Sequence, residues 1–177
     1  MKKIAVLLLA LCLALTPFAS LAEEAVAITW DEVGAPLVET LGMEGDFVAL
    51  SEMGLALWVP SDLLYVEPSA DEAAAGLYAS FIDQDQECML TVTVTNVEGM
   101  TLDLYLQSAI EAGMNEPVIV NVNGLDCVSY DDLTNNYSTL ALVDTNCNII
   151  LFSFAPIDND VARLGSTVIF ASLMPLE

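Results

Sequence analysis

The chain has 177 residues, the size of one ordinary domain, with 26 acidic residues against three basic ones, no histidine and a formal net charge of −23. Lys2 and Lys3 stand at the extreme N-terminus, so the body of the chain keeps Arg163 as its only cation. Such a surface repels nucleic-acid phosphates and anionic lipid headgroups, and with neither lysine nor histidine the body has no P-loop, Schiff-base lysine, histidine triad or histidine metal site.

The first element is a targeting segment. Lys2 and Lys3 precede an apolar run from Ile4 to Leu15, and Ser20-Leu21-Ala22 sets small residues three and one before Glu23. This is the layout of a secretory signal peptide over residues 1–22, with cleavage expected after Ala22; an uncleaved anchor is the alternative. No later segment offers 18 uncharged apolar residues, so the product is expected outside the cytoplasm, away from the membrane once cleaved. Residues 23–177 read as a single α+β domain, starting near residue 28 after a short acidic arm.

Thr29 and Glu32 have capping-box spacing, and Val33, Leu37, Val38 and Leu41 continue a helical stripe that Gly42 ends. Phe47 to Ser51 and Leu55 to Val59 read as two strands around Glu52-Met53-Gly54, with Pro60 stopping the second. Residues 61–75 read as a loop or short helical turn. Gly76 to Ile82 and Cys88 to Val97 form a hairpin across Asp83-Gln84-Asp85-Gln86-Glu87. In its second strand Leu90, Val92 and Val94 alternate with Thr91, Thr93 and Thr95, which predicts one buried and one wet face.

After Gly99 the period becomes helical, with Thr101 as N-cap and Gly113 as stop. Val118 to Val122, Leu125 to Asp131, Ser138 to Asp144 and Ile149 to Phe154 then make an antiparallel meander. Asn123-Gly124, Asn135-Asn136 and Asn146 supply its turns. Ile157-Asp158-Asn159 opens a last helix through Leu173. The order predicts an α+β fold with a largely antiparallel sheet and helices packed on it. Leu57, Leu90, Val92, Val94, Val128, Leu151 and Phe154 are expected to be buried together. Of the cysteines, Cys12 falls in the signal; Cys88, Cys127 and Cys147 are read as small apolar fillers or as one bridge and a leftover thiol.

Three stretches carry a resemblance. Gly54-Leu55-Ala56-Leu57-Trp58-Val59-Pro60, Asn123-Gly124-Leu125, and Ile149-Ile150-Leu151-Phe152-Ser153-Phe154 before a C-terminal helix follow the order of the PsbP-like fold. That group includes the photosystem lumen protein PsbP, the Ran-binding Mog proteins and periplasmic DcrB-type proteins. The chain also looks like the small acidic secreted proteins of gut Firmicutes. The resemblance spans nearly the whole mature chain and implies an α/β/α sandwich that binds partners or assists assemblies without catalysis. It carries over no functional residue, and the single arginine departs from members that use basic patches.

Asp83, Asp85 and Glu87 alternate along one turn, so three carboxylates could face a hard cation such as calcium. An EF-hand loop starting at Asp83 would need glycine and a bidentate acid where Cys88 and Val94 stand, which favours a solvated hairpin turn. Asp131-Asp132 with Asn135-Asn136, and Asp158 with Asp160, read first as turn and cap chemistry. Trp30 and Trp58 lie in apolar contexts that suit core packing, and the serines have no candidate base. The reading is a secreted, monomeric, non-enzymatic binding or scaffolding domain with a protein or small-molecule partner and no resident cofactor. The alternatives are a calcium-responsive acidic surface protein and a carboxylate-dependent glycoside hydrolase. Crowding of acids is expected to raise their native pKa values, so that stability grows as pH falls from about 7 to 5.

Overall fold

The computed structural model describes residues 25–176; the signal-peptide segment 1–22 lies outside the described residues. The chain runs β1 (Val26–Ile28), a π-helical turn (Trp30–Gly34) continuing into α1 (Ala35–Leu41), β2 (Gly45–Leu50), β3 (Leu55–Pro60), β4 (Leu64–Val66) and α2 (Ala70–Ala74). It continues with β5 (Leu77–Ile82), β6 (Met89–Asn96), α3 (Leu102–Glu111), β7 (Asn115–Val122), β8 (Leu125–Asp132), β9 (Tyr137–Val143), β10 (Asn148–Ala155), α4 (Asp160–Ala171) and β11 (Met174–Pro175).

The helices start where a side-chain oxygen meets an orphan amide. Thr29 accepts from the Glu32 amide, Thr101 from Leu104 and Asn159 from Ala162, while Ser69 and Glu72 form a reciprocal capping box. The β7–β8 hairpin closes on Asn123 and Gly124, both at positive φ (48° and 88°), as a primed turn requires. At the β9–β10 turn the positive φ falls on Cys147 (62°) and not on Asn146, because Asp144 accepts from the Asn146 amide and holds that residue within the turn.

Eight strands form one sheet in the order β1-β7-β8-β9-β10-β6-β5-β4, and β11-β3-β2 form a second. Every pairing is antiparallel except β1 with β7. β1 corrects the expected acidic arm: Val26, Ala27 and Ile28 register with Val120, Asn121 and Val122, so the sheet begins before residue 28. The small sheet and α4 cover one face of the large sheet; α3 packs on the other.

The alternation predicted for β6 is present, and the register carries it across neighbouring strands. Leu90, Val92, Phe152, Phe154 and Leu140 point with β3 residues Leu55, Leu57 and Val59 and with Ile169, Phe170 and Leu173 into one cluster. Val128, Tyr130, Ala141 and Ala109 form a second cluster under α3, with Leu151 packed against it. The seven residues expected in one core are therefore divided by the sheet. A side-chain period of two puts Leu151 on the opposite face from Phe152 and Phe154. At the far end Trp30 meets Phe47 and Trp58 at ring separations of 5.3 and 5.9 Å. Gly34 and Gly45 make this possible, since a Cβ on either would collide with a tryptophan ring.

Full burial of a large apolar side chain such as Leu57, Leu90, Leu140 or Leu173 contributes about 1.5–3 kcal/mol. Leu173→Ala should cost about 2–5 kcal/mol in urea unfolding. Val92→Asp, at a position with no exposure, should abolish the cooperative transition, whereas Leu151→Asp, half-buried on the α3 face, should lower the midpoint but leave a folded protein. Equal loss in both aspartate variants would place the two residues in one core after all.

Candidate functional site

The three carboxylates singled out in the sequence lie in the β5–β6 turn, at one corner of the large sheet. Asp83 is committed to the turn: its Oδ1 accepts from the Glu87 amide at 2.7 Å, its own amide donates to the Cys88 carbonyl, and its carbonyl accepts from Gln86. Asp85 and Glu87 are exposed. Among the described residues no group of three or more histidine, cysteine, aspartate or glutamate side chains is arranged to hold a metal ion.

The other acidic pairs have the same logic. Asp132 accepts from the amides of Thr134 and Asn135 and from Asn135 Nδ2 at 2.7–2.9 Å, and Asp144 accepts from the amides of Asn146 and Asn148 and from Asn148 Nδ2. Asp131 bonds the Ser138 hydroxyl and forms, with Arg163 at 3.3 Å, the one ion pair among the described residues. Arg163 also donates through Nε to the Ile157 carbonyl. A cleft of about 420 Å³ opens around this pair between α4 and β7–β8, bordered by Glu116, Asp131, Asp160 and Thr167. Its guanidinium is already engaged by protein oxygens.

Carboxylates whose pKa departs from the ordinary range move down, opposite to the expectation from charge crowding. Hydrogen bonds from Asn135, side chain then backbone, lower Asp132; Ser69 lowers Glu72. At Asp144 burial works upward, and the bonds from Asn148 and Asn146 outweigh it. Cys88, Cys127 and Cys147 are free thiols. Burial, with a contribution from Asp126, pushes Cys127 up to about 12. Cys88 is raised by burial first and then by the fields of Asp83, Asp62, Glu87 and Asp158. Both thiols therefore stay protonated at neutral pH, which makes them poor nucleophiles and poor metal ligands. The four acids acting on Cys88 come from three separate segments: the β3–β4 loop, the β5–β6 turn and the approach to α4.

Beside this acidic corner lies a strand within residues 61–75, a stretch whose sequence predicts a loop or short helical turn. β4 forms the edge of the large sheet and pairs with β5 through Leu64↔Ile82, Tyr65↔Phe81 and Val66↔Ser80. Its side chains are 51%, 58% and 45% exposed, three large apolar groups in succession. Asp62 precedes the strand and Glu67 follows it. Leu64-Tyr65-Val66 is rich in strand formers; its shortness between Pro60 and Pro68 hid it. The arrangement offers unpaired backbone, an apolar surface and negative charge together, which suits binding of an extended, positively charged chain.

No protein-family model matches the chain, and no curated protein matches it in sequence. Among solved structures it is similar to the solution structure of cyanobacterial PsbP (CyanoP) from Synechocystis sp. PCC 6803, with 14% identity over 90% of this chain and 99% of that one and a TM-score of 0.50. The likeness establishes a PsbP-like fold. Among the described residues no helix is long and apolar enough to cross a membrane.

The lowered carboxylates fix the sign of the acid response. A folded-state pKa below the unfolded value contributes stability that is complete above about pH 5 and disappears as pH falls through the folded value. The melting temperature should therefore fall between about pH 5 and pH 3, and Asp144→Asn should shrink that fall. Thermal melts across this range check it; an acid response identical in the variant would remove Asp144 from the account.

Proposed function

We propose that this protein is a secreted, non-enzymatic binding module that acts as a monomer and takes a cationic protein partner on its acidic surface. The observation that carries the reading is the acidic surface at the corner of the large sheet, where carboxylates rim the exposed apolar side chains of the edge strand β4. Secretion rests on the signal-like segment at residues 1–22. The monomeric state follows from charge, since a second copy presents the same excess of acids and repels the first. The carboxylates near the turns spend their lone pairs on backbone and asparagine amides, an arrangement that shapes loops and leaves a negative field at the surface.

The test uses two synthetic peptides of equal length, one alternating valine with lysine and the other valine with glutamate. The protein should bind the first and not the second, and raising salt from about 20 to 300 mM should weaken binding at least about tenfold. Calorimetric titration reads both. Equal binding of the two peptides, or none, would sink the proposal.

A further inference from the structure

Resting on that binding reading, we infer that β4 is a docking edge at which a partner's extended segment, bearing lysine or arginine, adds as a ninth strand of the large sheet. Among the described residues the sheet ends at β4, which has a hydrogen-bonded neighbour on one side only, β5. Leu64 and Val66 spend their backbone groups on Ile82 and Ser80, so Tyr65 is the residue whose amide and carbonyl point where another strand would lie, which is the chemistry of strand addition. Protein edges are commonly blunted by short length, lysine, proline or a bulge; β4 is short, yet Leu64-Tyr65-Val66 contains neither lysine nor proline and its register with β5 is regular. The opposite edge differs. β1 presents one large exposed apolar side chain, Val26, against three on β4.

Side chains on both faces give the added strand something to read. Leu64 continues the row Ile82, Met89 and Ala155 across the face that carries α3, with Met89 itself 41% exposed. On the other face Tyr65 sets its ring against Phe81 at a centroid separation of 5.7 Å. Apolar side chains two apart on the incoming segment would extend that row, and its alternate positions would lie beside Tyr65.

Charge decides the occupant. Asp62 and Glu67 bracket β4, and Asp83, Asp85 and Glu87 crown the neighbouring hairpin. A second copy would bring the same acids edge to edge, while a basic segment would neutralise them. Pro60 and Pro68 bound the segment, so the pairing covers only a few residues.

The experiment follows amide exchange in the whole protein as the valine–lysine peptide is added. The Tyr65 amide, which faces away from β5, should gain protection, and methylating alternate peptide nitrogens should abolish binding, since it removes backbone donors and leaves the charge. Leu64→Lys with Val66→Lys should weaken binding at least about tenfold. The control, Leu104→Lys with Ile110→Lys, makes the same charge change at exposed residues of α3, which packs on β7 and β8 toward the opposite end of the sheet, and should weaken it less than about threefold. Binding with unaltered β4 exchange, or with equal losses in the two double variants, overturns the docking edge but leaves the binding reading standing. No binding of the peptide overturns both. Concentration-dependent protection of β4 without peptide would make a second copy the occupant and overturn the inference.

Discussion

The side chain of Asn123 joins three parts of the chain that no other group connects so directly. Its backbone takes a positive φ to close the β7–β8 turn, and its amide donates to the Ile28 carbonyl at 2.9 Å, extending the β1 pairing. Its Oδ1 accepts from the Trp30 amide, while Nδ2 donates to the carbonyls of Ala171 and Leu173, all at 2.8 Å. One amide side chain thus satisfies an orphan donor where the first helical turn begins and two carbonyls where α4 ends. Beside it the fully buried Ser172 accepts from the Trp58 amide at 2.8 Å and donates to the Ile169 carbonyl. The end of α4 is seated by these bonds between the two sheets, with Ile169, Phe170 and Leu173 in the main cluster.

That anchoring explains how a chain with so much surface charge holds its layers in place. The interior is apolar on both faces of the large sheet, and Thr139, Ser166 and Ser172 within it are hydrogen-bonded; no fully buried side-chain nitrogen or oxygen among the described residues lacks a partner. The acids work at the ends of strands and helices, where they cap and turn the chain. Their charges then accumulate at the corners of the sheet, including the corner beside β4. A surface of this sign is a consequence of loops built from aspartate, and it sets the chemistry of anything that docks there.

Much of the fold is written in local patterns. Thr29, Ser69, Thr101 and Asn159 each precede a helical turn and each caps it, and the threonine alternation in β6 marks its two faces. What alternation cannot say is which cover lies over each face, so Val128 and Leu151 were grouped with residues they are separated from by the sheet. β1 and β4 escaped because each is three residues long, too short for periodicity, and each gains its structure from a partner distant in sequence or across a helix. Asn123 was legible as a turn former. Its larger role depends on carbonyls 48 and 50 residues away, which no local pattern encodes. At the candidate site the acids of the β5–β6 turn were visible as a turn, while their position beside a free sheet edge required the sheet order.

The most direct test of the central role of Asn123 is urea unfolding of Asn123→Gly. Glycine retains the positive φ of the turn and removes the three side-chain hydrogen bonds, while its freer unfolded chain adds about 0.5–1 kcal/mol of cost. With a net contribution of about 0.5–1.5 kcal/mol per bond, the variant should be folded yet less stable by about 2–5.5 kcal/mol. Stability within about 0.5 kcal/mol of the parent would contradict the account, because it would mean that α4 and the first helical turn are held in place without the Asn123 side chain.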